Sequence, residues 1–136
     1  MLLTKRNEYA LQAMVLLARR GGEGAASARE LAAALRTSPG FMSKIARQLA
    51  AAGLVRARSG KGGGLALARP ARRIRARDIF RAVDGELRVS QCMAEGRCTH
   101  RACPVYGPLR AVQSGLDREI NAVRLSQFVH AGKGAR

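Results

Sequence analysis

The chain has 136 residues, room for one domain and not for a multidomain machine. Its 25 Lys and Arg against 9 Asp and Glu give a net charge of +16, which points to a polyanionic partner, nucleic acid before an anionic membrane surface. With 47% apolar residues but only three Phe, two Tyr and no Trp, the core is expected to be aliphatic, and single-strand binding by aromatic stacking is disfavoured.

Tyr9, Leu11, Met14, Val15 and Leu17 recur at helical spacing and predict a helix over residues 4–20, stopped by Gly21 and Gly22. This start faintly imitates a secretory leader. Glu8 precedes the apolar run, Gln12 interrupts it and no small-residue cleavage site follows, so a helix of the folded domain is expected instead. No apolar run reaches the roughly 18 residues of a membrane span, and no membrane partner is expected.

Ser27 and Glu30 form a capping box that opens a short helix over residues 28–35. Ser38 then caps, and Pro39 starts, a third helix that reaches about residue 52 and closes at Gly53. Two short helices around a tight polar turn predict a helix-turn-helix. Residues 54–58 and 65–68 are short extended runs on either side of a glycine-rich turn, which makes a two-stranded wing. Those glycines are not a phosphate cradle, because no helix opening with Lys-Ser or Lys-Thr follows them. After Pro70, Ile79, Phe80 and Val83 mark a further helix ending at Gly85.

Charge is concentrated in this part. Residues 1–78 carry a net +12 and residues 79–136 a net +4, and residues 54–77 hold eight Lys or Arg with no acid. In the third helix Met42, Ile45 and Leu49 share the inward face. Ser38, Phe41, Ser43, Lys44 and Arg47 fall on the rest of its surface with Gly40 and Gln48, the mixture of small, hydroxyl and basic residues that a major-groove helix needs. Phe41 fits core packing against the second helix equally well. Arg56, Arg58 and Lys61 of the wing are placed for phosphates or a narrow minor groove.

Cys92, Cys98 and Cys103 are an odd, clustered trio, which suits metal ligation or thiol chemistry in a reducing cytosol better than a disulfide framework. Thiolates are the usual ligands of an iron-sulfur cluster, but four protein ligands are the norm and a fourth must come from another residue type, with His100 and Glu8 as candidates. Zinc sites more often show cysteines two to four apart. From Pro108, Leu109, Val112, Leu116, Ile120 and Val123 recur at three and four, an amphipathic stripe that a lone helix cannot bury and that two copies could bury between them. With no Walker loop, no nucleophile elbow, no Cys-x-x-Cys and only two His, enzymatic activity is not expected.

These motifs in this order, Leu3 to Lys5 with Tyr9 to Leu11, Ser38 to Ile45, Leu49 to Val55, Gly60 to Leu65, Leu67 to Pro70 and Asp78 to Gly85, resemble the bacterial winged-helix iron-sulfur transcription regulators of the IscR and NsrR type. The resemblance covers residues 2–128 and implies a mainly α fold with a small β wing: a winged helix-turn-helix domain (residues 1–88), a cluster-binding cysteine loop (89–107) and a long C-terminal dimerisation helix with its tail (108–136). It implies a cytoplasmic homodimer on a palindromic double-stranded DNA operator, a repressor sensing redox state, nitric oxide or iron-sulfur status. The cofactor would be a two-iron or four-iron cluster on Cys92, Cys98 and Cys103. In cluster-binding members an acidic residue at the position of Glu8 completes the cluster from the partner subunit, whereas IscR-like members use a His three residues after the third cysteine, where this chain has Tyr106. The second gap between cysteines is one residue shorter than the IscR-like spacing. A cluster-free winged-helix repressor sensing thiol oxidation or a small molecule is the alternative.

Overall fold

The computed structural model describes residues 3–21, 24–96 and 103–131. Helix α1 (Lys5–Arg19) is capped by Thr4, whose hydroxyl accepts from the Asn7 amide, and Ser27 and Ser38 cap α2 (Ala28–Ala34) and α3 (Pro39–Ala51) in the same way. A side-chain oxygen at this position satisfies one of the amide donors that every helix start leaves open. The C-termini of α2 and α3 are closed by paired backbone bonds. Thr37 N–H donates to Ala32 and Arg36 N–H to Ala33, while Leu54 donates to Leu49 and Gly53 to Ala50. This closure requires a left-handed residue just past the helix, supplied by Gly53 (φ +72°) after α3 and by Arg36 (φ +54°) in the turn between α2 and α3.

Strands β1 (Val55–Arg58) and β2 (Gly64–Leu67) pair antiparallel with Val55 opposite Leu67 and Arg58 opposite Gly64. Ala26 exchanges backbone hydrogen bonds with Leu65, which ties the base of the wing to the segment before α2. A short 3-10 turn (Ala71–Arg73) leads into α4 (Ala76–Asp84), then α5 (Gln91–Ala94), α6 (Tyr106–Ala122) and α7 (Leu125–Ala131). The main core joins Met14 and Leu17 of α1, Met42 and Ile45 of α3, Ile79 of α4 and Leu125 of α7, all essentially inaccessible to water. Each such side chain contributes about 1.5–3 kcal/mol of burial. Among the described residues no helix is long and apolar enough to cross a membrane.

The expected winged helix-turn-helix is therefore present, and its first three helices end within a residue or two of the expected bounds. Three features differ. The cysteine segment contains the short helix α5, α6 starts at Tyr106 with Gly107 and Pro108 inside its first turn, and the C-terminal helix breaks at Val123, which is extended (φ −72°, ψ 129°). Proline is tolerated in a first turn because its missing N–H has no helical partner there. The break has a tertiary cause: the Val123 carbonyl accepts from Ala76 N–H at 3.0 Å and Leu125 N–H donates to Ile74 at 2.8 Å, so the chain exchanges helical bonds for a bridge to the start of α4.

Candidate nucleic-acid interface and cysteine site

Helix α3 buries Met42, Ile45, Ala46 and Leu49 and leaves Lys44 and Arg47 exposed. Arg56, Arg58 and Lys61 are exposed on the wing. Among the described residues none of Lys44, Arg47, Arg56 and Lys61 has a carboxylate within ion-pair distance, so their charge is available to a polyanion. The α3 N-terminus adds its own positive end. Ser38 and Phe41, also assigned to DNA from the sequence, have partners of their own. Ser38 is exposed, but its Oγ accepts from Phe41 N–H as the helix cap. Ser43 is half-buried. Phe41 is half-buried with its ring edge-on to Tyr9 (centroids 5.7 Å, planes at 82°), which seats the start of α3 on α1. Gln48 is also half-buried and donates to the Val83 carbonyl of α4 at 3.1 Å.

At the cysteine segment, Cys92 and Cys103 are free, half-buried thiols, and Cys92 Sγ lies 3.3 Å from Ser90 Oγ. Cys98 and His100 lie outside the described residues. A cavity of about 230 Å³ beside Cys92 is lined by Arg88, Met93, Tyr106 and Arg110. Two guanidinium groups on its wall suit an anionic occupant, although Arg88 also lies 3.8 Å from Asp117, and Cys92 is one donor of the kind an iron-sulfur cluster takes, while Cys103 does not line the cavity. Among the described residues no three of His, Cys, Asp and Glu converge within one chain. Glu8 is exposed near the start of α1, 3.5 Å from Lys5 Nζ.

Sequence reasoning missed the residue that anchors this segment. Gln113 of α6 is 7% exposed; its Oε1 accepts from Val89 N–H, and its Nε2 donates to the Leu87 carbonyl and to Asp117 Oδ1, each at 2.9 Å. One amide thus takes over the hydrogen bonding of the backbone three to five residues before Cys92. Its only signal was a polar residue beside an apolar stripe. Nearby, Arg77 forks onto Glu86 at 3.0 and 3.3 Å and Arg81 joins at 3.5 Å. The Arg77 hydrogen bond, aided by the surrounding guanidinium charge, holds the Glu86 carboxyl below its ordinary range although partial burial opposes this.

Of the C-terminal stripe, Leu116, Ile120 and Val123 pack against Ala76, Phe80 and Leu87 of the same chain, Leu109 is half-buried, and Val112 is 57% exposed. Val105, one turn before Leu109, is 56% exposed.

Residues 3–131 match the model of the Rrf2 family, described as iron-dependent transcriptional regulators. The chain is 31% identical over 136 residues to the helix-turn-helix-type transcriptional repressor NsrR of Streptomyces coelicolor, covering 98% of this chain and 92% of the repressor. In fold it is similar to the oxidized form of Staphylococcus aureus CymR (TM-score 0.77, 25% identity, 96% of this chain and 97% of that one) and to T. potens IscR (TM-score 0.75, 24% identity, 100% and 93%).

Proposed function

We propose that this chain, which belongs to the Rrf2 family of iron-dependent transcriptional regulators, reads a palindromic operator as a homodimer through α3 and the wing and adjusts its affinity to the state of an iron-sulfur cluster. The family and the relatives are transcriptional regulators, so the protein is a DNA-binding regulator and not an enzyme. Within that frame Lys44 and Arg47 face the major groove, and Arg56, Arg58 and Lys61 face phosphates or the minor groove. Cys92, Cys98 and Cys103 would hold the cluster and Glu8 of the partner subunit would complete it. Bound there, the cluster supplies a centre sensitive to redox change and nitric oxide. Gln113 fixes the backbone that carries Cys92, and Arg88 and Arg110 balance the thiolate charge.

The observation that carries this reading is the pairing of the exposed Lys44, Arg47, Arg56 and Lys61 on α3 and the wing with a free thiol, Cys92, beside a cationic cavity. Repression is the sense suggested by the NsrR relative. A second reading has its own support: Cys92 and Cys103 are free and half-buried, and a protein of this fold has been solved in an oxidized form. On that reading thiol oxidation itself is the signal. The test is protein purified without oxygen from iron-replete cells. Visible absorption with stoichiometric iron and sulfide supports the cluster. Colourless protein whose operator affinity changes with a thiol oxidant gives the second reading first place.

A further inference from the structure

The last turn of α4 is where three helices meet through polar groups. The Val83 carbonyl is one of those that a helix end leaves without an intrahelical partner. It accepts from Gln48 Nε2 of α3 at 3.1 Å and from Arg6 Nη1 of α1 at 3.3 Å. Arg6 Nη1 also reaches Asp84 Oδ1 at 3.1 Å, and the other Asp84 oxygen accepts from Thr4, the residue that caps α1. One carbonyl with two lone pairs therefore links the first turn of α1 to the last turn of α3.

Gln48 keeps this bond at a cost. Its Oε1 is buried with no partner, an arrangement that an apolar side chain of equal length would avoid. It follows Arg47 directly in sequence, and Arg6 precedes Glu8 by two residues. A displacement of the first turn of α1 moves the Arg6 and Thr4 contacts on Asp84 and, through Val83, the helix that carries Arg47.

We propose that Gln48 and Arg6 are positioning residues for DNA reading, which set the orientation of α3 against α1 by sharing the Val83 carbonyl. The inference rests on α3 being the helix that enters the major groove. Two reading heads of fixed orientation discriminate between half-site spacings, and heads free to turn do not.

The full-length wild type first selects an operator from random duplexes. Affinities are then measured for that operator and for versions with one base pair inserted or removed between the half-sites, using wild type, Gln48→Met, Arg6→Met and the double variant. Each single variant is expected to keep its fold and its affinity for an isolated half-site within about twofold, and to lose spacing discrimination by about 2- to 30-fold. The double variant should be no worse than the worse single one. Gln48→Lys, which can donate to the same carbonyl, should restore the discrimination ratio, and Gln48→Glu, which cannot donate, should not. This last pair decides the matter if Gln48→Met fails to fold. Wild-type discrimination in a folded Gln48→Met, additive losses, or equal behaviour of Lys and Glu at position 48 overturns the proposal. If wild type selects no duplex, the reading of α3 has failed instead, and hydrogen exchange on the free protein tests the link alone. Arg6→Met should then speed exchange of the amides at residues 46–51 in the wild-type background but not in Gln48→Met, and equal acceleration in both refutes the link.

Discussion

Val112 and Leu116 lie one turn apart on α6 yet differ in surroundings: Leu116 packs against Phe80 and Leu87 of its own chain, while Val112 is 57% exposed. The stripe is thus divided between an intrachain contact and an open edge that begins at Val105. If the proposed homodimer pairs through this edge, Val112→Asp should leave the fold intact and halve the mass seen by light scattering. Leu116→Asp should put a carboxylate into the cluster around Phe80 and lower stability by about 2 kcal/mol or more. An unchanged mass for Val112→Asp would show that two copies do not pair through this edge.

Arg47 and Lys61 are exposed in different settings, one midway along α3 and the other at the tip of the wing. Arg47→Ala should cost about 1–3 kcal/mol of binding and relax preference at particular base pairs. Lys61→Ala should weaken binding to all duplexes alike and reduce the salt slope by about 1. Affinity across a salt series on selected and scrambled duplexes separates the two effects.

The Arg77–Glu86 fork makes stability depend on pH. The Glu86 carboxyl titrates lower in the folded chain than in the unfolded one, so its contribution is complete above the ordinary carboxylate range and is lost as pH falls through the depressed value. In Glu86→Gln the urea midpoint should fall at neutral pH by the equivalent of about 1 kcal/mol, in line with a partly exposed pair. The gap from wild type should close in acid; a constant gap would argue against the ion pair as its source.

Gln113→Leu keeps the volume of the side chain but strands the Leu87 carbonyl and the Val89 amide. It should lower stability by about 1–3 kcal/mol, and hydrogen exchange should rise first in residues 87–94. On the cluster reading, the visible spectrum or the lifetime of the bound cluster should change as well. Gln113→Glu should rescue only in part, because it can accept from Val89 but cannot donate to Leu87.

The elements that were legible in the sequence are those fixed locally. Ser27 and Ser38 cap α2 and α3 through bonds made within four residues, and Gly53 closes α3 because the backbone there must be left-handed. The wing follows from a change of period and a glycine-rich turn. What escaped was decided over distance. Val123 continues a 3–4 periodicity that gives no hint of a break, and its carbonyl leaves the helix only because Ala76, forty-seven positions earlier, offers an amide. Gln48 lies among outward-facing polar residues by helical angle, and only the approach of α4 turns it inward. The basic residues of the candidate interface were readable from charge alone, whereas the environment of Cys92 depended on α6 lying alongside.

The bridge between Ala26 and Leu65 gives the wing a fixed fulcrum. A Cβ on Gly64 would sit 2.6 Å from the Ala26 backbone at a φ of +144°, so side chains are shut out where β2 begins. At the tip a Cβ on Gly60 or Gly62 would meet nothing within 4 Å, although both residues sit at positive φ, while one on Gly63 would lie 2.3 Å from the Arg58 carbonyl oxygen. The wing is therefore a lever fixed at its mount and at Gly63, with open space at Gly60 and Gly62. A residue inserted beside Lys61 would lengthen the wing, and on the proposed function its grip on the flanking groove, while α3 stays where it is.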